Sequence, residues 1–113
     1  MAERGDVLEL RKRLGFGAKN QNERVVVIQA TQLNSALPTT LFVPLDVLAA
    51  PYMERDLLVH VPAAEAGTRK DQVAIVTHVR FAPTDRFEPG RVGKLGTETL
   101  EELNEKLRLV LDL

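Results

Sequence analysis

Short apolar runs separated by polar, glycine-containing or proline-containing segments fill most of the chain. Apolar and polar residues alternate over residues 6–10, which predicts a first strand. The β-branched run over residues 24–30 predicts a short central strand that looks buried on both of its faces. Further strands are predicted over residues 39–45, 56–61, 72–81 and 91–95. We expect Pro44 to end the third strand at an edge or a bulge.

The C-terminal segment has the spacing of an amphipathic helix, with apolar residues at i, i+3, i+7 and i+10. Gly96 or Thr97 can cap its start, and glutamates occupy the first turns, where the helix dipole favours them. The predicted apolar face consists of Leu100, Leu103, Leu107 and Val110, widened by Leu111 and Leu113.

The segments between the strands differ in character. Residues 11–22 contain two glycines and form a loop long enough to be functional. Residues 31–37 have room for one helical turn before Pro38 stops it. Residues 46–55 are expected to be a connection, and residues 62–71 an exposed loop.

Several short strands followed by one helix predict an α+β fold, built on a curled antiparallel sheet or small barrel. A chain of 113 residues has room for one core, so we expect a single domain over residues 1–113. The wide leucine stripe on the helix favours self-association.

Composition excludes several classes of function. The chain has no cysteine, so it can form neither a disulfide nor a thiolate metal site. Its two histidines, His60 and His78, are far apart in the sequence, which disfavours a structural zinc site. No signal peptide is visible at the N-terminus and no apolar run is long enough to span a membrane. The absence of cysteine fits a reducing compartment, so we expect a cytoplasmic protein. The net charge of −1 argues against bulk coating of nucleic acid, although bases cluster between residues 11 and 24.

Five segments, in order, resemble the MazF/Kid/PemK toxins, the ribosome-independent endoribonucleases (mRNA interferases) of bacterial type II toxin–antitoxin systems. They are "RGDV" at 4–7, "RVVVIQ" at 24–29, "LPTTLFVPL" at 37–45, "VAIVTHVR" at 73–80 and "RVGKLGTETLEELNEKLRLVLDL" at 91–113.

The resemblance implies a small SH3-like antiparallel β-barrel with a C-terminal helix, assembled as a homodimer. It implies that single-stranded RNA lies in a groove shaped by the first long loop. It also implies cleavage without a metal or other cofactor, with the RNA's own 2′-OH attacking the adjacent phosphate. A cognate MazE-like antitoxin with an acidic tail would occupy the same groove.

Attack by a 2′-OH requires a base, an acid and a cation near the phosphorus. Arg24 is the candidate cation, because a guanidinium stays charged and matches two phosphate oxygens. Its position before the β-branched strand matches the family's arginine. The alternative is a surface arginine in an ion pair with a neighbour such as Glu23.

This chain departs from the family at several positions. Ala18 and Lys19 stand where the family commonly has serine and glutamate, and Asp46 stands where a threonine often follows the third strand. Many members have Asp-Gln in place of Thr77 and His78. Imidazole can serve as acid or base near neutrality, so His78 is the second catalytic candidate. The alternative is a structural histidine in the sheet.

Candidate RNA-binding residues lie in the first loop and near the end of the fifth predicted strand. Arg80 and Lys19 can bind phosphate, Asn20 and Gln21 can read base edges, and Phe16 can stack on a base. The alternatives are a solvated lysine and turn-forming amides. The departures leave a second function open, a non-enzymatic toxin of the same fold. Such a protein would be a CcdB-like gyrase inhibitor or a degenerate member that binds only RNA or antitoxin.

Overall fold

A computed structural model describes residues 2–11, 23–47 and 57–113. Within these ranges the chain forms seven strands, two α-helices and two 3₁₀ turns, the latter at Thr31–Leu33 and Thr84–Arg86. The elements are β1 (Asp6–Leu10), β2 (Glu23–Val27), β3 (Thr39–Val47), β4 (Leu58–Val61), α1 (Ala63–Ala66), β5 (Gln72–Ile75), β6 (Arg80–Pro83), β7 (Gly93–Lys94) and α2 (Thr97–Leu111).

The strands form one antiparallel sheet in the order β4-β5-β3-β2-β1-β7, with β6 also paired to β3. β3 is long because its two halves have different neighbours. Residues 39–42 pair with β6, whereas residues 45–47 pair with β5. This change of partner curls the sheet around a core, and α2 packs against it. The predicted α+β fold with a curled antiparallel sheet and a C-terminal helix is confirmed.

Two apolar clusters bury the two faces of this sheet, which explains the unbroken apolar run in β2. Val26 belongs to the cluster on the helix side, and Val25 and Val27 belong to the other. The helix-side core contains Val7, Val26, Val43, Leu45, Val59, Val61, Ala66, Ala74, Val76, Leu95, Leu103 and Leu107. The second core contains Leu8, Leu10, Val25, Val27, Phe42, Ala82 and Phe87.

α2 presents the predicted face to the helix-side core. Leu103 and Leu107 are buried, and Leu100 and Val110 pack partly against the same cluster. Gly96 is the N-cap residue, and its N–H donates to Glu65 Oε1 at 2.9 Å. The predicted widening of the stripe is wrong, because Leu111 and Leu113 lie past the core and are exposed. They follow the last turn that the sheet can cover.

The "RGDV" segment joins β1 to α2. Arg4 donates from Nε to the Ile28 carbonyl at 2.8 Å and from Nη1 to the Asn104 side-chain oxygen. Burial, and then the nearby charge of Arg108, lower the pKa of Arg4. Gly5 has a φ of 92°, which a residue with a side chain rarely adopts, and lies against Leu100. The segment therefore holds the helix on the sheet.

Three details of the predicted secondary structure were wrong. The strand predicted over residues 72–81 is two strands, because a turn after β5 lets the chain move along β3. Pro44 lies inside β3 opposite Val25, between the residues that pair with β6 and those that pair with β5. Because proline has no backbone N–H, no donor is left unpaired at this point between the two partner strands. The loop predicted over residues 62–71 contains α1, whose Ala63 N–H donates to Asp71 Oδ1 at 2.8 Å.

Candidate functional site

An open cleft of about 830 Å³ lies at one end of the helix-side core. Along β1, the inward positions change from Val7 to Glu9, and along β2 from Val26 to Arg24. β5 changes in the same way, from Ala74 to Gln72. The cleft is therefore the polar end of the barrel interior. Its described lining consists of Glu9, Arg24, Val47, Gly67, Thr68, Arg69, Lys70 and Gln72.

Arg24 is half-buried in this cleft, on the strand between β1 and β3. Its Nη1 is buried and has no hydrogen-bond partner, and no ion pair joins Arg24 to any other residue in the described ranges. The predicted alternative, an ion pair with Glu23, is wrong because successive residues of a strand point to opposite faces. A buried guanidinium nitrogen without an acceptor favours an external anion.

A tight turn after α1 brings two more cations to the cleft. Gly67 has a φ of 70°, and a Cβ there would lie 2.0 Å from the Val92 carbonyl oxygen, so only glycine fits. Thr68 Oγ1 donates to the Lys70 carbonyl at 2.7 Å and fixes the turn. Arg69 and Lys70 are exposed on the cleft wall. Sequence reasoning missed both, although the "GTRK" string combines a left-handed glycine position with adjacent bases.

Within its described lining the cleft carries three cations, Arg24, Arg69 and Lys70, against one carboxylate, Glu9. This excess of positive charge suits a phosphodiester. A second cavity, of about 400 Å³, lies on the other side of the sheet and is lined in part by acids.

Each acid of that second cavity has a cation of its own. The ion pairs are Glu3 with Lys94 at 2.9 Å, Asp6 with Arg91 at 3.4 Å and Glu88 with Arg11 at 3.4 Å. The cleft is the better candidate site, because its cations lack such partners within the described ranges.

Arg80, predicted to bind RNA, lies on the second-core side of the sheet. Its Nη2 donates to Glu23 Oε1 at 2.8 Å, and the Glu23 side chain is 1% exposed. The guanidinium carbon also lies 5.7 Å from the ring centroid of the fully buried Phe42. Arg80 therefore does not line the cleft with Arg24.

His78, the second catalytic candidate, is half-buried and lies in the turn between β5 and β6. Its backbone N–H donates to the Ile75 carbonyl at 3.0 Å. β5 starts at the cleft with Gln72 and runs away from it. Because a strand rises about 3.3 Å per residue, the end of β5 lies about 10 Å from the cleft. The structure does not place His78 in the described lining of the cleft.

Two other positions singled out by the sequence also lie away from the cleft. Asp46 alternates with Leu45 and Val47 on β3 and therefore faces the other side of the sheet. Thr77 is exposed in the turn after β5. The remaining predicted site residues lie outside the described ranges and are Phe16, Lys19, Asn20 and Gln21. Ala18, which departs from the family's serine, also lies outside them.

His60 lies on the outer face of β4 and pairs with Asp71 at 2.8 Å. The hydrogen bond from the Ala63 backbone, and then the one with His60, lower the pKa of Asp71. No cluster of three or more histidine, cysteine or acidic residues suited to a metal is found in the described part of the chain. No helix there is long and apolar enough to cross a membrane.

Comparison with known proteins gives a family match over nearly the whole chain. A family profile described as "PemK-like, MazF-like toxin of type II toxin-antitoxin system" matches residues 3–111. No curated protein sequence matches directly.

Solved structures share the fold at low identity. A mycobacterial endoribonuclease in complex with its cognate antitoxin superposes with a TM-score of 0.78, at 15% identity over 100% of this chain and 97% of that one. The Mycobacterium tuberculosis toxin MazF-mt6 gives a TM-score of 0.73 at 14% identity, over 94% and 96%. A Deinococcus radiodurans MazE–MazF complex gives 0.75 at 18%, over 99% and 97%. At these identities the likeness establishes the fold alone.

Proposed function

The chain belongs to the PemK-like and MazF-like toxins of type II toxin–antitoxin systems, and from that premise we propose that it is a metal-independent endoribonuclease. It would cleave single-stranded RNA in the cytoplasm by attack of the 2′-OH on the adjacent phosphate. The observation that carries the proposal is Arg24, a guanidinium with a buried, unpartnered nitrogen in an open and positively charged cleft.

Arg24 would stabilise the extra negative charge that builds up on the phosphoryl oxygens as the 2′-oxygen attacks. β2 is hydrogen-bonded to β1 on one side and to β3 on the other, so the backbone that carries the Arg24 side chain is rigid. A donor fixed in advance is worth about 3–4 kcal/mol of barrier in comparable anion-stabilising sites. Arg69 and Lys70, exposed on the wall, would bind flanking phosphates through screened charge.

The test is incubation of the purified protein with a long single-stranded RNA in EDTA. We expect discrete fragments that end in a cyclic phosphate or a phosphate, and Arg24→Ala should lower the rate at least about 100-fold. Arg108→Ala, an exposed cation on α2, is the matched control and should cleave like the wild type. Undiminished cutting by Arg24→Ala would overturn the site assignment. Intact RNA together with stalled gyrase would instead support the CcdB-like alternative.

A cognate antitoxin with an acidic tail is the proposed protein partner. The mycobacterial and Deinococcus relatives were solved with antitoxins, and the cations of the cleft suit carboxylates as well as phosphates. Added antitoxin should therefore compete with RNA. Binding of both at once would contradict a shared site.

A homodimer is the proposed assembly, and an exposed apolar surface supports it. Leu41 and Phe81 are opposite each other on β3 and β6 and are 41% and 66% exposed. Leu33 and Leu37, in the segment before β3, are also more than 40% exposed. Phe81→Glu should convert a dimer to a monomer in light scattering, and Leu109→Glu on α2 should not. The opposite result would place the interface on the leucines of α2.

A further inference from the structure

Glu9 is the one carboxylate in the described lining of the cleft. It is half-buried on β1 and directly opposite Arg24 on β2, so both side chains project from the same face. Directly opposite residues of antiparallel strands have Cβ atoms about 5 Å apart. No hydrogen bond or ion pair joins the Glu9 side chain to Arg24 or to another described residue.

We propose that Glu9 is the catalytic base that takes the proton from the attacking 2′-OH. This assignment rests on the proposed nuclease function and assigns one step of that reaction, removal of the 2′-OH proton, to the Glu9 carboxylate. The base and the cation of such a reaction must act on adjoining atoms, the 2′-oxygen and the phosphoryl oxygens. Neighbouring positions on two paired strands give that spacing.

In this step a Glu9 carboxylate oxygen accepts the 2′-OH proton while the 2′-oxygen forms a bond to phosphorus. The bond from phosphorus to the 5′-oxygen breaks, and the departing 5′-oxygen takes a proton from water. The products are a 2′,3′-cyclic phosphate and a 5′-hydroxyl. Glu9 then returns its proton to solvent, so atoms and charge balance without a metal or a redox partner.

The position of Glu9 favours it over His78 for this role. Glu9 lines the same cleft as Arg24, whereas His78 follows the far end of β5. Within the described ranges the charged groups that face Glu9 are Arg24 from β2 and Arg69 and Lys70 from the turn after α1. Arginine and lysine ordinarily stay protonated below about pH 9, so they do not produce an acidic limb in a pH–rate profile.

The test is Glu9→Gln, which keeps the shape of the side chain and removes its basicity. We expect kcat to fall by about 100- to 10,000-fold and the acidic limb of the pH–rate profile to disappear. Affinity for a 2′-O-methyl RNA, which binds but cannot be cut, should be retained. Glu101→Gln, an exposed glutamate on α2, is the matched control and should show wild-type kinetics.

Two further measurements separate the base from other roles. An RNA with a bridging 5′-sulfur has a leaving group that needs no acid, so the Glu9→Gln defect should persist on it. Recovery on that substrate would overturn the assignment and make Glu9 an acid. If Glu9→Gln folds poorly, Glu9→Asp keeps a carboxylate and should keep the acidic limb at a lower kcat.

The outcomes also separate this assignment from the nuclease function itself. Cleavage by the wild type with an unchanged profile in Glu9→Gln would overturn the role of Glu9 and leave the nuclease standing. A profile whose acidic limb is lost in His78→Gln instead would move the base to His78. Absence of cleavage by the wild type would refute the nuclease function, and the role of Glu9 with it.

Discussion

Arg24 on β2 and Arg80 on β6 have side chains on opposite faces of the sheet near the start of β2, and their environments differ. Arg80 meets the buried carboxylate of Glu23 on the second-core side of the sheet and lies close to the ring of Phe42. Arg24, the next residue after Glu23, lies on the helix-side face in an open cleft and has no ion pair within the described ranges. A cation whose counter-charge is built into the fold stabilises that fold. A cation without one is available to an external anion.

Removal of Arg80 should have the largest effect on stability. Arg80→Met breaks the ion pair with the buried Glu23 carboxylate, and breaking a buried pair by removing one partner costs about 3–5 kcal/mol. We expect urea denaturation to show a loss in that range, with cleavage per folded molecule unchanged. Arg11→Met breaks the exposed pair with Glu88 and should cost less than about 1 kcal/mol. If Arg80→Met keeps full stability and loses cleavage, Arg80 belongs to the site, as the sequence predicted.

Removal of the exposed cations of the cleft should weaken RNA binding rather than stability. In Arg69→Ala with Lys70→Ala, the slope of log affinity against log salt should fall by about 0.7 for each phosphate that the variant no longer binds. Fluorescence anisotropy with a 2′-O-methyl RNA measures this slope. Lys94→Ala, whose ammonium pairs with Glu3, is the control and should keep the wild-type slope. An unchanged slope in the double variant would exclude the turn from the RNA path.

Removal of Arg24 should change stability little, in contrast to Arg80. Arg24→Met removes a buried nitrogen without an acceptor, so we expect the unfolding free energy to stay within about 1 kcal/mol of the wild type or to rise. Urea denaturation at low ionic strength measures it. A decrease of about 3 kcal/mol would mean that Arg24 has a structural counter-charge and would weaken the comparison.

The exposed pair between Asp71 and His60 should have the smallest effect on stability. The pKa of Asp71 is lowered by the Ala63 N–H and then by His60, so its stabilising effect is present above the ordinary aspartate pKa of about 3.9. That effect is lost as pH falls through the lower pKa of the folded state. The difference in melting temperature between wild type and Asp71→Asn should therefore be present at pH 6 and shrink toward pH 2. A difference that grows in acid would contradict this direction.

The sequence predicted the fold where the signal is local. Alternation predicted β1 at residues 6–10, and the helical spacing predicted the buried Leu103 and Leu107 of α2. It missed the break between β5 and β6, because that break depends on how β3 bends between two partners. It also missed the cations of the turn after α1, since their approach to Arg24 depends on the packing of distant segments.

For the candidate site, the sequence by itself selected Arg24, from its residue type and from the resemblance of its place before a β-branched strand to that of the family's arginine. Only the tertiary structure decided that Arg24 faces an open cleft beside Glu9, while Arg80 pairs with Glu23 at a sequence separation of 57. The physical reason is that residue type and periodicity are local properties, which fix secondary structure and the alternation of faces. The choice of counter-charge depends on strand register and sheet curvature, and those are set only when distant segments pack together.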